Sequence, residues 1–390
     1  MDSSSLNETH AAQRVPGIDM LRGLSILAVV VHHVNLRIRF DRSPLGMRFP
    51  TLAAALGWNG YYGVRIFFVI SGFLIATWSL RRWRSLKNIE RRQFYRMRFA
   101  RIAPCLLGLL AILSVLHLAG DPHYTIDPRR SSLPRALLAA LTFHVNWLEA
   151  KSWYLPASWD VLWSLSVEEV FYIFFPLICT WVRKKLFLIP ALGAFVVLGP
   201  FARIVFTHND IWADYGYLSC MDGIAMGCLA AMLSRRIRFG NQALRAMSLS
   251  GALLCIFITI LRRAAAGVGL YKAGLDVTVL SVETALLAIS SLQRFEQNAV
   301  ARSAWSWFFH PLSELLRGVG RSSYEIYLTH MFVIWPVVWA FYRSRSSLNT
   351  APVWFLIAAV ISGMLGFAVA KFYSEPLNRI LRGTMRGVQS

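Results

Sequence analysis

The chain has 390 residues, of which 56% are hydrophobic, and it carries a formal net charge of +21. Soluble globular domains rarely combine such apolarity with such charge, so the composition indicates a polytopic membrane protein. The basic residues lie in short segments between apolar runs, which is typical of positive-inside membrane topology and argues against a nucleic-acid-binding protein.

Ten apolar runs are long enough to cross a bilayer, which requires about 20 mostly apolar residues. The predicted spans are 18–36, 58–80, 100–119, 162–182, 186–206, 214–233, 245–261, 275–292, 323–342 and 352–373. An eleventh run, 135–149, is short and polar at its tips, so we predict a re-entrant or interfacial helix there. With this choice both termini are cytosolic and the inside segments hold the larger share of the Lys and Arg residues.

The expected fold class is therefore all-α, a multi-pass membrane protein with about ten transmembrane helices. We expect a cytosolic N-terminal segment over 1–17, one membrane domain over 18–374 and a basic cytosolic tail over 375–390. The five cysteines fall in apolar segments without CxxC spacing, so they are predicted to pack and to form neither disulfides nor a metal site.

The first span contains Arg22 and His33, whose side chains are costly in hydrocarbon and therefore indicate a working site. Eleven positions are about three helical turns, or about 16 Å of rise, so both side chains share one face. His33 is the candidate general base, because an imidazole can take a proton from a hydroxyl that attacks a carbonyl. The alternatives are an interhelical hydrogen bond for the histidine and a structural ion pair between Arg22 and Asp19.

The second span contains Arg65 and Ser71, and Ser71-Gly72 would also allow close helix packing. A strongly basic stretch with a single Glu follows at 81–101. Such a stretch at a cytosolic surface can bind anionic lipid. It can also bind the phosphates of a nucleotide-bearing thioester, because arginine chelates phosphate oxygens.

Two further motifs carry polar groups into predicted spans. WSLSVEEVFYIFFP at 163–176 has adjacent carboxylates, Glu168 and Glu169, which cannot share a helix face, so at most one points into a given cavity. Their possible roles are hydroxyl recognition, orientation of the base, or stabilisation of a helix N-terminus.

SSYEIYLTH at 322–330 places Ser323, Tyr327 and His330 on one face. This set could line the same cavity or form interhelical hydrogen bonds. Asp222, within the span 214–233, is an isolated acid that requires a partner.

In order along the chain, the segments Arg22-X10-His33, GYYGVRIFFVISGFLI, FYRMRFARIAP, WSLSVEEVFY, SSYEIYLTH and YSEPLNRI resemble the acyltransferase 3 family. This family comprises integral membrane acyltransferases that transfer acyl groups, commonly acetyl, to cell-surface carbohydrates and some secreted small molecules. The resemblance covers residues 14 to about 382. It departs from the family pattern where Met97-Arg98, preceded by Arg96, replaces the paired arginines of many relatives, and where Val170 replaces Gln.

The resemblance implies a ten-helix domain in a bacterial inner membrane, with acyl-CoA as the cytosolic donor and an acceptor hydroxyl reached from the outer face. The predicted catalytic residues are His33 as base, Arg22 and Glu168. The predicted donor-binding residues are Arg96, Arg98, Arg101 and Arg65, and the predicted substrate-binding residues are Ser71, Ser323, Tyr327 and His330.

We therefore expect an O-acyltransferase that moves an acyl group, expected to be acetyl, from acyl-CoA to a hydroxyl of a cell-surface or exported carbohydrate, free or lipid-linked. No permanently bound cofactor and no nucleic-acid partner are expected. One alternative is acylation of a small secreted metabolite such as a macrolide. Another is a glycan or lipid transporter, although no inverted repeat is apparent in the sequence.

Overall fold

The computed structural model describes residues 14–181, 185–297 and 306–384, and within these ranges it contains helices and loops but no strand. The helices are α1 (Pro16–Asn35), α2 (Pro44–Arg48), α3 (Pro50–Gly57), α4 (Tyr62–Trp83), α5 (Arg91–Leu118), α6 (Leu133–Leu141), α7 (Val145–Ser152), α8 (Ala157–Asp160), α9 (Leu162–Trp181), α10 (Lys185–Val205), α11 (Asp210–Tyr215), α12 (Tyr217–Arg236), α13 (Asn241–Thr259), α14 (Arg262–Gly267), α15 (Asp276–Gln297), α16 (Ser306–Arg321), α17 (Ser323–Arg343), α18 (Ala351–Val369) and α19 (Glu375–Thr384). A π-helical turn, Ala370–Ser374, joins α18 to α19.

Nine helical stretches of the described chain are long and apolar enough to cross a membrane. They coincide with nine of the ten predicted spans, and the remaining one, 323–342, is helical along its whole length as α17. The all-α, multi-pass membrane fold expected from the sequence is confirmed.

The third span starts earlier than predicted. Helix α5 begins at Arg91 rather than near residue 100, so the second half of the basic stretch 81–101 is helical. The Glu90 carboxylate caps this helix by accepting hydrogen bonds from the backbone N–H groups of Arg92 at 3.0 Å and Gln93 at 2.6 Å. Because of this cap the helix starts inside a charged segment, which the search for apolar runs did not include in the span.

The run 135–149 forms two short helices, α6 and α7, which Phe143 separates with a left-handed φ of 58°. The longer of them has nine residues, which is about 14 Å of rise against a hydrocarbon core of about 30 Å. Neither helix can therefore cross the bilayer, in agreement with the prediction for this segment.

Glycines allow several of the long helices to pack in backbone contact. A Cβ atom at Gly72 of α4 would lie 1.9 Å from the carbonyl oxygen of Ile224 in α12, and one at Gly320 of α16 would lie 1.8 Å from the carbonyl oxygen of Asp19 in α1. Close approach through small residues is typical of helix packing in membranes. The second contact places the end of α16 directly beside the start of α1.

The apolar core has two main parts. One is built chiefly by α1, α4, α9, α12 and α15, and the other by α5 to α9, α17 and α18. Helix α9 contributes to both parts, and Glu168, which lies on this helix, lines the cavity of the candidate site.

Candidate active site

A cavity of about 690 Å³ lies among α1, α4, α5, α9, α17 and α19. Its volume is within the range of pockets that bind small molecules and cofactors, which is about 300–1,000 Å³. Aromatic side chains including Phe67, Phe68, Tyr324 and Tyr327 form much of its wall.

The polar lining of this cavity is strongly cationic. Its arginines are Arg14, Arg22, Arg81, Arg98, Arg101, Arg321, Arg379 and Arg382, and its acids are Asp19, Glu168 and Glu375. Such a lining suits a ligand with several negative charges, because arginine binds phosphate and carboxylate oxygens through paired donors.

The arginines contributed by the basic stretch 81–101 form ion pairs with acids outside it. Arg98 donates to Glu169 at 2.7 Å, Arg101 to Glu325 at 3.2 Å, and Arg81 to Glu296 at 2.6 Å. Glu325 is fully buried and Glu169 is nearly so. These pairs hold α4 and α5 against α9, α15 and α17, and they compensate the charge of the three guanidinium groups.

Glu168 lies in the cavity wall within a compact polar cluster. Its carboxylate accepts hydrogen bonds from the hydroxyl of Ser71 on α4 and, at 2.9 Å, from the hydroxyl of Tyr172 one turn along α9. The Ser71 and Tyr172 hydroxyls also contact each other, and the Arg98 guanidinium lies 3.7 Å from the Tyr172 ring centroid. Of the adjacent carboxylates only Glu168 lines the cavity, as the helix geometry predicted.

Tyr327 of α17 closes the cavity on the side of the histidines. Its hydroxyl donates to the carbonyl oxygen of Val161 at 3.0 Å and accepts from the Ser164 hydroxyl at 2.8 Å. The His330 ring packs behind it, 5.9 Å from the Tyr327 ring, and the His33 ring lies 4.9 Å beyond His330.

The hydrogen bonds of the two histidines define which ring nitrogen can act as a base. Nδ1 of His33 lies 2.9 Å from the carbonyl oxygen of Val29, and Nδ1 of His330 lies 2.7 Å from that of Tyr327. A carbonyl can only accept, so each Nδ1 carries hydrogen and each neutral ring keeps its lone pair on Nε2. Within the described chain, the buried Nε2 of His330 has no hydrogen-bond partner.

The structure brings together most of the residues predicted for the site. Those that line the cavity are Arg22, Ser71, Arg98, Arg101, Glu168, Ser323 and Tyr327. His33 and His330 stand one layer behind Tyr327 and do not line it. The shared helix face of Arg22 and His33 therefore does not give them a shared cavity, because Arg22 lines it whereas the His33 ring packs against His330 of α17.

Two predicted donor-binding arginines, Arg65 and Arg96, lie outside the cavity lining. Arg65 is 4% exposed and donates to the carbonyl oxygens of Asp214 at 2.6 Å and Ser219 at 3.5 Å. These bonds give Arg65 a structural role between α4 and the helices α11 and α12. Asp222 obtains the partner that the sequence required, since Arg203 lies 2.9 Å from it.

Several cavity residues were not singled out from the sequence, among them Arg14, Ser164, Tyr172 and Arg321. The position of Tyr172 one turn after Glu168 was a usable signal, because i and i+4 side chains meet on a helix. Arg14 and Arg321 are close to the cavity only because α1 and α16 pack together, and no local pattern marks them.

Comparison with known proteins identifies the class of this membrane protein. Residues 15–371 match the acyltransferase 3 family, described as an acyltransferase domain. The match covers most of the chain, so the chain belongs to this family, and the resemblance drawn from its motifs is confirmed.

Among individual proteins, the chain is similar to two curated relatives. It is 25% identical over 344 residues to the peptidoglycan O-acetyltransferase OatA of Listeria monocytogenes, covering 83% of this chain and 50% of the relative. It is 24% identical over 256 residues to the O-acetyltransferase OatA of Staphylococcus aureus, covering 60% of this chain and 37% of the relative. The chain thus spans half or less of the length of these relatives. No solved structure matches it.

Proposed function

We propose that this chain is an integral membrane O-acyltransferase of a bacterial inner membrane that moves an acetyl group from acetyl-CoA to a hydroxyl of a cell-envelope carbohydrate. The observation that carries the proposal is a cationic cavity of about 690 Å³ whose wall includes Tyr327, which contacts the His330 ring and through it the His33 ring. Membership of the acyltransferase 3 family and the names of both relatives support the reaction class.

The cavity suits acyl-CoA, a donor with a polyanionic nucleotide at one end and a thioester at the other. Its arginines provide charge-assisted hydrogen bonds for phosphate groups. The aromatic wall around Phe68, Tyr324 and Tyr327 provides an apolar surface for the uncharged arm. We place the nucleotide at the arginine-rich end and the thioester near Glu168 and Tyr327.

His33 is the general base of the proposed reaction. Its Nε2 takes the proton of the acceptor hydroxyl while the hydroxyl oxygen attacks the thioester carbonyl carbon. The new C–O bond forms, the C–S bond breaks, and the leaving thiolate takes the proton back from the imidazolium. The acetyl ester and free coenzyme A are the products, and the base is regenerated.

Tyr327 separates the donor cavity from the histidines, so the proposed reaction requires this ring to move. Donor and acceptor then meet at His33, with the carbohydrate arriving from the side opposite the arginine-rich end. Glu168 fixes the hydroxyls of Ser71 and Tyr172 in the wall next to the thioester. Arg22 adds positive charge to the same cavity.

The experiment uses the purified full chain in liposomes, with labelled acetyl-CoA on one side and a carbohydrate acceptor on the other. We expect transfer by the wild type and a loss of about 100-fold or more in His33→Ala, the usual contribution of a general base. His208→Ala, which changes an exposed histidine, is the matched control.

Two results would overturn this proposal. One is full turnover by a folded His33→Ala protein. The other is movement of unmodified glycan across the liposome membrane without acetyl-CoA, which would instead support a transporter with a polar cavity.

A further inference from the structure

The arginines around the cavity are not equally available to a ligand. Arg81, Arg98 and Arg101 each bind an acid of the protein, and Arg379 lies 3.5 Å from Glu375. Within the described part of the chain, Arg14, Arg22 and Arg321 have no hydrogen bond or ion pair. The uncompensated positive charge therefore belongs to these three residues.

These three arginines are neighbours because α1 and α16 touch through their backbones. Gly320 leaves no room for a Cβ against Asp19, and a Cβ at Gly23 would lie 2.2 Å from the carbonyl oxygen of Leu316. Arg321 follows Gly320 directly, and Arg22 lies one turn after Asp19. The Asp19 carboxylate interacts electrostatically with these three arginines and with Arg317, and Glu325 also acts on Arg22, so the positive charges around Asp19 outnumber the negative ones.

An unpartnered hydroxyl lies beside this group. Ser323, two residues after Arg321, is 1% exposed and lines the cavity, and its Oγ has no hydrogen-bond partner among the described residues. Buried hydroxyls are normally hydrogen-bonded, because leaving one unpaired is unfavourable. An anionic ligand oxygen at this position would accept its hydrogen.

We propose that Arg14, Arg22 and Arg321, with the Ser323 hydroxyl, bind the phosphate groups of the acyl donor. This inference rests on the proposed function and replaces the basic stretch 81–101 as the main phosphate site. Arg98 and Arg101 are excluded from that role because turning either one to a ligand would leave a buried carboxylate, Glu169 or Glu325, without its counter-ion.

The position of the cluster agrees with the length of the reaction path. Arg22 and His33 are eleven residues apart on α1, which is about 16 Å along the helix axis. The uncharged arm that joins the phosphates to the thioester would extend along the cavity over this distance. Its reactive end would then arrive at Tyr327, in front of His330.

The test measures coenzyme A binding to the full chain by calorimetry in nanodiscs of neutral lipid. We expect Arg321→Gln and Arg14→Gln each to weaken binding about tenfold, since each removes charge-assisted hydrogen bonds. Binding of pantetheine, which lacks the nucleotide phosphates, should not change. Arg343→Gln, which removes an exposed charge at the far end of α17, is the matched control.

The outcomes separate this inference from the proposed function. If the wild type fails to bind coenzyme A, the proposed donor is wrong. If it binds and the Arg14 and Arg321 variants bind equally well, the donor stands and this site is refuted. If the variants keep wild-type affinity for coenzyme A and lose only affinity for phosphatidylglycerol nanodiscs, the cluster binds lipid phosphate. That result also refutes the inference.

A folding defect in the glutamine variants would not end the test. Arg321→Lys keeps the charge but loses the paired donors of a guanidinium. It should give intermediate coenzyme A affinity, and wild-type affinity in a folded Arg321→Lys protein would count against bidentate phosphate binding at this residue.

Discussion

The rings of His33 and His330 lie 4.9 Å apart at an interplanar angle of 71°, and each ring donates its Nδ1 hydrogen to a carbonyl of its own helix. The contact joins α1 to α17, nearly three hundred residues later in the sequence. Through this contact His330 holds the ring of His33, the proposed base, in its orientation. His330 is therefore a positioning residue that can be tested separately.

We expect His330→Ala to lower kcat by about tenfold to 100-fold with little change in the KM for acetyl-CoA, because misorientation of a base affects the reaction step more than donor binding. Steady-state kinetics in liposomes would measure the split. His330→Phe, which keeps a ring against His33, should recover part of kcat. An increase in KM alone would instead assign His330 to substrate binding.

Tyr327 is predicted to prevent hydrolysis of the donor. Tyr327→Ala removes the ring between the cavity and the histidines, so acetyl-CoA should release coenzyme A without an acceptor, at a rate several-fold above the wild type. Thiol release is the measurement. Tyr327→Phe keeps the ring and loses only the bonds to Val161 and Ser164, and it serves as the control. Equal thiol release from all three proteins would show that Tyr327 is not a barrier.

The ion pair between Arg101 and Glu325 is predicted to be structural. Glu325 is fully buried, so Arg101→Met should destabilise the folded protein by about 3 kcal/mol, the effect of leaving a buried charge unpaired. The double variant Arg101→Met/Glu325→Met should recover most of this loss. Thermal unfolding in detergent measures both, and equal midpoints for the single variant and the wild type would contradict the prediction.

Gly72 is predicted to be required for packing of α4 on α12. A methyl group there would meet the carbonyl oxygen of Ile224 at 1.9 Å, and backbone cannot move away as a side chain can. Gly72→Ala should cost about 1–3 kcal/mol, as overpacking of a tight interface does. Gly363→Ala on α18 is the matched control, since nothing lies within 4 Å of its Cβ position. Comparable unfolding midpoints for the two variants would refute this account.

Glu149 in the short helix α7 is predicted to make stability depend on pH. Burial, reinforced by the neighbouring Asp160 carboxyl, raises the pKa of Glu149 well above its usual value of 4.5. The folded state then keeps a proton that the unfolded chain releases, so stability should be highest below about pH 4.5 and fall as pH rises above it.

Glu149→Gln removes this titration and can still accept the hydrogen bond from the Leu155 N–H. It should flatten the dependence and raise stability at neutral pH. Unfolding midpoints measured across pH 4–8 provide the comparison. An unchanged slope in Glu149→Gln would assign the dependence to other groups.

Local information was enough to predict the class of fold and much of the candidate site. The length of each apolar run defines a span, and the helical repeat places Arg22 with His33 and Ser323 with Tyr327 and His330 without reference to the rest of the chain. The same repeat predicts that at most one of Glu168 and Glu169 faces the cavity, and the family resemblance indicated Glu168. The order of the six motifs along the chain was sufficient to recognise the family.

The sequence by itself thus determined the spans, the helix faces and the family, because each depends on residues within a few turns of one another. Only the tertiary structure decided which charges remain free and which groups share a cavity. Arg98 and Arg101 are compensated by acids on α9 and α17, and Arg14 and Arg321 line one cavity because α1 and α16 pack together. His33 does not line that cavity, and its ring packs against His330, which in turn contacts Tyr327 of the cavity wall. These relations depend on which helices become neighbours, and neighbour choice depends on packing across the whole bundle rather than on any local pattern.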